Sequence, residues 1–182
     1  DLSLFSFIAF LVFLIIAVIS WIYERSKYAT FFYSILGYML LSISIIYGFQ
    51  KPEYFVILSW QSLLVVSTAV WFRSRIIIVT NFIIYLIILL SFLYIASDVT
   101  YISISFGIIA LLSARILNWK KKELKLNSEG MRNAYLICAF FIFPYSLYKS
   151  VPEAFVTISW IGVAFLYYIL SVLLKNIKYR WL

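Results

Sequence analysis

The sequence predicts an all-α fold: a polytopic transmembrane helical bundle of about seven spans. Of its 182 residues, 65% are hydrophobic and only 12% are charged, which leaves too little polar surface for a water-soluble domain. The charged residues are clustered, and the apolar runs between clusters are roughly 16–22 residues long, close to the ~20 that a helix needs to cross a bilayer. These runs do not alternate between apolar and polar residues, as β-barrel strands would.

The first three runs are residues 2–23, 28–49 and 54–72. The second ends at Lys51-Pro52-Glu53. Proline is favoured in the first turn of a helix and glutamate suits the positive end of its dipole, so this pair predicts the start of the third helix. Small residues recur at 3-4 spacing along the second run and predict a helix contact seam. They are Ser34, Gly37, Ser44 and Gly48, with Leu41 between them.

The last four runs are residues 76–96, 99–119, 131–148 and 154–174. The fifth carries a second small-residue seam, which consists of Ser103, Gly107, Ala110 and Ala114, and meets the longest polar stretch, residues 120–130. Pro144 predicts a kink within the sixth run. Ser150 and Glu153 have the spacing of a capping box at the start of the seventh.

Lysine and arginine orient these spans. Gaps on one side of the predicted membrane contain 13 of the 15 basic residues: Arg25, Lys27, Arg73, Arg75, Arg115, Lys120, Lys121, Lys122, Lys125, Arg132, Lys175, Lys178 and Arg180. The opposite gaps contain only Lys51 and Lys149. The positive-inside rule therefore predicts an amino end outside and a carboxyl end in the cytoplasm.

An internal repeat links the third and seventh runs. Residues 51–60 recur as residues 151–160, and Pro, Glu, Phe, Val, Ser and Trp return at the same places. Because an even number of spans separates the copies, the repeat is parallel rather than inverted. We interpret residues 1–182 as one transmembrane domain built from two-helix pseudo-repeats, roughly residues 28–74, 75–121 and 131–178.

The repeat also supplies the candidate site residues. Ser59, Trp60, Gln61, Ser159 and Trp160 lie inside spans, where the serine and tryptophan pairs favour packing between helices. The alternative is a pseudo-symmetric pocket between the two copies, with Gln61 as its polar group. We interpret Glu53 and Glu153, the glutamates of the two copies, as helix-start residues. The alternative is that they line one cation site on the outer side of the membrane.

The polar loop offers a second candidate. Lys120, Lys121, Lys122 and Lys125 form a basic cluster that can contact anionic lipid headgroups, although topology enforcement alone accounts for it.

Several function classes are disfavoured. The chain has no histidine and one cysteine, Cys138, which excludes histidine-ligated metals and Ser-His or Cys-His nucleophile pairs. Acidic residues fall in the gaps, so ion-coupled transport and carboxylate catalysis lack the buried ionisable groups that they use. We therefore predict no enzyme activity and no cofactor. The net charge of +8 is explained by membrane-surface anchors rather than by nucleic-acid binding, and a lone cysteine is usually a packing residue.

The tandem hairpins, with Ser-Trp early in outside-to-inside spans and basic exits such as residues 71–75 and 175–180, resemble a family of large, uncharacterised bacterial predicted membrane proteins. The resemblance implies a bacterial inner-membrane location and a chain that continues beyond this window, and it carries over no site residue. Our first hypothesis is a non-catalytic scaffold or accessory subunit whose partners are the lipid bilayer and other membrane helices. The alternatives are an uncoupled carrier or flippase for a lipid-like molecule and a seven-span sensor domain.

Overall fold

A computed structural model describes residues 1–95, 100–119 and 129–173. Within these ranges the chain forms helices and short turns and has no β-strand. The seven α-helices are α1 Leu2–Ile19, α2 Lys27–Gly48, α3 Tyr54–Trp71, α4 Arg75–Ile95, α5 Thr100–Trp119, α6 Glu129–Ser150 and α7 Glu153–Leu173. The predicted all-α helical bundle is confirmed, and the helix ends lie close to the predicted run boundaries.

Six of the described helices are long and apolar enough to span a membrane. By length and composition these are Leu2–Glu24, Lys27–Gly48, Tyr54–Trp71, Arg75–Ile95, Ile102–Trp119 and Glu153–Val172. Helix α6 is long enough, at 22 residues, but it contains Arg132, Asn133 and Lys149 and is the least apolar of the seven. A membrane location follows from the other six, whereas the sixth predicted span, residues 131–148, forms a helix that does not reach the same hydropathy.

Helices α1 and α3 end in a similar way. Helix α1 continues into a π-helical turn, Ser20–Glu24, after which Arg25 adopts a positive φ of 51°. After α3, Arg73 has a φ of 52°, and Ser74 N donates to Ala69 O at 3.0 Å while Arg73 N donates to Val70 O at 3.1 Å. This is the Schellman pattern, with arginine where glycine is usual. Ser26 then caps α2 by accepting from Ala29 N at 3.3 Å.

The two predicted seams are contact surfaces. On α2, Ser34, Gly37 and Ser44 are buried, and Gly37 lies against Phe10 and Phe13 of α1. The whole second seam is buried on α5, where a Cβ added at Gly107 would come within 2.9 Å of the Phe143 ring of α6.

The pairs that pack most extensively are α1 with α2 and α5 with α6, while α3 contacts both α4 and α5. The pseudo-repeats predicted as residues 28–74 and 131–178 pair α2 with α3 and α6 with α7, and these helices touch much less. Because each helix is apolar on the sides that face lipid as well as on those that face protein, hydropathy alone does not identify which side packs against another helix.

An aromatic core joins α3 to α6. Phe92 of α4 lies 5.6 Å, centroid to centroid, from both Phe55 of α3 and Phe106 of α5, and Tyr85 lies 5.6 Å from Tyr135 of α6. Four of these rings are fully buried, and Phe55 nearly so. Offset and edge-to-face rings contribute beyond their area at these spacings, so this cluster fixes the centre of the bundle.

One local prediction is corrected. Helix α6 continues through Pro144, and the kink predicted there stays a prediction. Ser150 does not form the predicted capping box; its Oγ donates backwards to Ser146 O at 2.9 Å and to Leu147 O at 3.4 Å. A serine in the last turn of a helix can donate back to the carbonyl oxygens three and four residues before it, which takes its hydroxyl away from the amides of the next helix.

Candidate functional site

The two copies of the repeat fold alike. Phe55 N donates to Pro52 O at 3.1 Å, and Phe155 N donates to Pro152 O at 2.8 Å. Further along, Ser59 Oγ donates to Val56 O at 2.6 Å and Ser159 Oγ donates to Val156 O at 2.7 Å. These matched bonds at an offset of 100 residues give the sequence repeat a local structural counterpart.

The surroundings of the copies differ. Phe55 is 2% exposed and Phe155 is 58% exposed. The same contrast runs along most of the helix. Eight residues are buried on α3. The counterparts of Ser59 and Val70, which are Ser159 and Leu170, are half-buried, whereas the counterparts of the other six, Phe55, Leu58, Ser62, Val65, Val66 and Ala69, are all exposed. We call these six exposed counterparts the open face of α7; they are Phe155, Ile158, Gly162, Phe165, Leu166 and Ile169. A Cβ added at Gly162 would meet nothing within 4 Å.

The structure does not bring the five predicted pocket residues together. Ser59 is fully buried on α3, where its Oγ lies 3.2 Å from Ser105 Oγ of α5. Trp60 and Trp160 are both half-exposed, so neither ring is fully enclosed by other helices. The Trp160 Nε1 donates to Pro144 O at 3.2 Å. An indole ring tolerates lipid on one side once its single donor has a partner.

Two separate cavities contain Gln61 and Trp160. Gln61 lines a cleft between α2, α3 and α4, whereas Trp160 lines a cavity between α6 and α7 together with Phe141, Pro144 and Tyr167. The two cavities share no lining residue. A symmetric pocket would need α7 beside α3, but α7 packs mainly on α6.

Gln61 holds α3 against α2. Its Nε2 donates to Tyr38 O at 2.8 Å and to Ser42 Oγ at 2.9 Å, and Ser42 Oγ lies 3.1 Å from Gln61 Oε1. Tyr38 Oη and Thr68 Oγ1 form a second link between these helices. The polar role predicted for Gln61 within a span is therefore met by contacts between helices.

Asn81 is the site residue that the sequence analysis missed. It lies on α4, is 4% exposed, and its Nδ2 is within hydrogen-bond distance of Ser62 O, Ser62 Oγ and Tyr135 Oη, at 3.1, 3.0 and 3.1 Å. A lone asparagine between Thr80 and Phe82 in an apolar run was the available signal, because a buried amide in lipid must find partners.

The cleft has an apolar wall and a polar floor. It has a volume of ≈ 130 Å³. Its polar lining residues are Ser42, Gln61, Ser62, Thr80 and Asn81, with Tyr38 beside them, and its walls are Ile35, Met39, Leu58, Val65, Ile77, Ile84 and Ile88. Met39 and Ile84 are exposed, so the cleft opens on the outer surface of the bundle, between α2 and α4.

The charged residues need one correction. Arg132, assigned to a polar gap, lies inside the first turn of α6 and is buried. Its Nη1 donates to Asn118 Oδ1 of α5 at 2.6 Å, and its Nε has no hydrogen-bond partner within the described part of the chain. This places a buried cation at a helix end, not halfway along a span. The basic cluster of Lys120, Lys121, Lys122 and Lys125 lies outside the described residues.

The glutamates of the repeat stand at helix starts. Glu53 is the N-cap residue of α3 and Glu153 is the first residue of α7, and both are exposed. In the described ranges, no three or more His, Cys, Asp or Glu side chains come together in a group that could hold a metal ion.

No protein-family profile matches the chain, and neither a curated protein nor a solved structure shows significant similarity to it.

Proposed function

We propose that the chain is a non-catalytic integral membrane protein that acts as a scaffold or accessory subunit by docking other membrane helices. The open face of α7 supports this proposal. Position by position it corresponds to the face of α3 that α4 and α5 cover, yet it is exposed. The repeat thus provides an internal example of what covers such a face.

The occupant that we propose is a transmembrane helix similar to α5. On α3, Ser59 Oγ meets Ser105 Oγ at 3.2 Å, and each serine is the sixth residue of its helix. The contact therefore lies at the same distance from the start of each helix. A partner helix on α7 would place a small residue, Ser or Gly, beside Ser159 and Gly162, since small side chains allow the backbones to approach closely.

Lipid alone is a poorer match for this face. Lipid chains need no small residues, and a glycine inside a helix costs about 1 kcal/mol relative to alanine. Gly162 is a glycine in mid-helix whose missing Cβ leaves open space, so its cost is offset only when another helix occupies that space.

Two exposed isoleucines provide a matched test. Ile158 is 64% exposed and belongs to the open face, and Ile161 is 65% exposed and lies outside it. Each is changed to cysteine in a Cys138→Ser background, which removes the one native cysteine, and native membranes are treated with a bismaleimide. We expect a cross-linked species from Ile158→Cys and little from Ile161→Cys. The linked peptide, read by mass spectrometry, is expected to lie in an apolar helix containing Ser or Gly.

Equal yields from the two cysteines, or a strictly monomeric protein without adducts, would contradict the scaffold proposal. The identity of the cross-linked chain shows whether the partner is a second copy of this protein or another subunit.

We propose that the protein lies in a bacterial inner membrane, with its amino end outside and its carboxyl end in the cytoplasm. The resemblance and the basic-residue asymmetry support this location.

A further inference from the structure

The cleft between α2, α3 and α4 contains hydrogen-bonding groups that the bundle leaves partly or wholly unused. The Asn81 Nδ2 faces Ser62 and Tyr135, while its Oδ1 accepts no hydrogen bond from any described residue. The Thr80 hydroxyl likewise makes no hydrogen bond within the described ranges. Gln61 Oε1 has only Ser42 Oγ as a partner, at 3.1 Å. These three groups all line the cleft.

Their position makes unused acceptors costly. Thr80 and Asn81 are the sixth and seventh residues of α4, which puts them about 9 Å along its axis from the end at Arg75. The walls of the cleft are otherwise aliphatic. Polar groups that face hydrocarbon without a partner cost free energy, and no bulk water is present at membrane depth to supply one.

The cleft carries no charge to balance an ionic ligand. None of its lining residues is Lys, Arg, Asp or Glu. A phosphate or carboxylate headgroup would thus bury a charge without a counterion. An uncharged ligand with one hydroxyl can donate a hydrogen bond to the polar floor of the cleft, while its hydrocarbon chain packs against the apolar walls.

We propose that this cleft binds the hydroxyl end of an uncharged single-chain lipid, such as a long-chain alcohol, which enters from the bilayer between α2 and α4. The hydroxyl donates to Asn81 Oδ1 or Gln61 Oε1 and accepts from the Thr80 hydroxyl. A volume of ≈ 130 Å³ is close to that of the cavity, ~150 Å³, that binds benzene in an engineered protein core. It therefore holds the hydroxyl and the first carbons, and the chain leaves past Met39 and Ile84.

The probe is hexadecanol with a diazirine near its hydroxyl, photolysed with the full chain in phosphatidylcholine nanodiscs. Two controls match its chain: a diazirine alkane without the hydroxyl, and a diazirine fatty acid. We expect the alcohol to label peptides of α3 and α4 about three- to tenfold more than either control, the range that one net hydrogen bond gives in affinity.

Paired variants locate the site. Ile84→Trp fills the cleft mouth, whereas Ile83→Trp changes an equally exposed neighbour that does not line it. We expect Ile84→Trp to abolish the excess labelling and Ile83→Trp to leave it unchanged. Thr80→Val removes a hydroxyl that makes no described hydrogen bond, so it tests the polar floor without disturbing the fold, and it is expected to lower labelling by the alcohol alone.

Equal labelling by alcohol and alkane would overturn the proposal, because it would mean that annular lipid alone occupies the cleft. The same holds if labelling persists in Ile84→Trp, or if an Ile84→Cys variant cross-links to another chain while the alcohol is excluded, since a partner helix would then fill the cleft.

Discussion

The Nδ2 atom of Asn81 lies 3.1 Å from the Oη of Tyr135, which joins α4 to α6 through the interior of the bundle. The same amide reaches Ser62 of α3. One side chain thus connects three helices. Tyr85, one turn further along α4, adds a bond of 2.9 Å from its Oη to Phe106 O of α5.

Replacement of Asn81 tests this connection. Asn81→Leu keeps the side-chain volume but removes the amide that Tyr135 Oη and Ser62 Oγ share, and we expect a loss of about 1–3 kcal/mol in unfolding free energy. Unfolding in mixed detergent micelles, followed by tryptophan fluorescence, measures it. Ser91→Ala is the control, because Ser91 Oγ bonds only within its own helix, to Ile87 O at 2.7 Å.

A double-mutant cycle isolates the pair. Asn81→Leu combined with Tyr135→Phe is expected to show a coupling of about 0.6–1.7 kcal/mol, the range found for hydrogen bonds between membrane helices. Strict additivity of the two changes would show that the contact contributes nothing to stability.

Two glycines in mid-helix are expected to respond oppositely to the same change. Gly107→Leu drives a side chain into the Phe143 ring, which lies 2.9 Å from a Cβ at that position, and overpacking of this kind costs about 1–3 kcal/mol. Gly162→Leu meets open space and is expected to leave the stability of the isolated chain unchanged or slightly raised. It should nevertheless reduce cross-linking from Ile158→Cys. A large loss of stability in Gly162→Leu would show that this face is already filled.

Trp60 and Trp160 occupy corresponding positions in the repeat, but we expect their replacement to change the stability of the protein by different amounts. Trp160→Phe removes the bond from Nε1 to Pro144 O and should destabilise the attachment of α7 by about 0.5–1.5 kcal/mol. Trp60 makes no described hydrogen bond through its ring nitrogen, so Trp60→Phe should have almost no effect. Hydrogen exchange in α7 provides the measurement. Equal effects would revive a shared role for the pair.

Membrane orientation can be tested with a matched pair of exposed tyrosines. Tyr23 lies near Arg25 in the π-helical turn that follows α1, on the predicted cytoplasmic side. Tyr94 lies at the carboxyl end of α4, on the predicted outer side. With each changed to cysteine in a Cys138→Ser background, a membrane-impermeant maleimide is expected to label Tyr94→Cys in intact cells and Tyr23→Cys only after permeabilisation. The reverse pattern would invert the predicted orientation.

The positions of the helices were predictable because lipid demands long uncharged runs, and charge clusters mark their ends. Their packing faces were predictable only where small residues repeat, as on α2 and α5, since the other faces are apolar whether they meet lipid or protein. For that reason the sequence placed Trp60 and Trp160 in the interior, whereas both are half-exposed.

The candidate site was predicted only in part. Gln61 was identified as a polar residue inside a span, and it does line the cleft. Asn81 was overlooked, and neither the cleft nor its polar floor follows from the 100-residue repeat, because α2 and α4 build it together with α3. Contacts between helices distant in sequence depend on side-chain fit, which composition and spacing do not specify.

Arg25 and Arg73 each combine a left-handed backbone where a helix stops with a positive charge that the predicted orientation places on the cytoplasmic side. A glycine at either position would adopt the positive φ without strain but would remove the charge. A lysine would keep the charge and would keep the strain of a positive φ. If the predicted orientation is right, a substitution that eases the left-handed turn also removes a positive charge from the basic-residue asymmetry. Such coupling predicts that these loops tolerate insertions beside the arginines more readily than replacement of the arginines themselves.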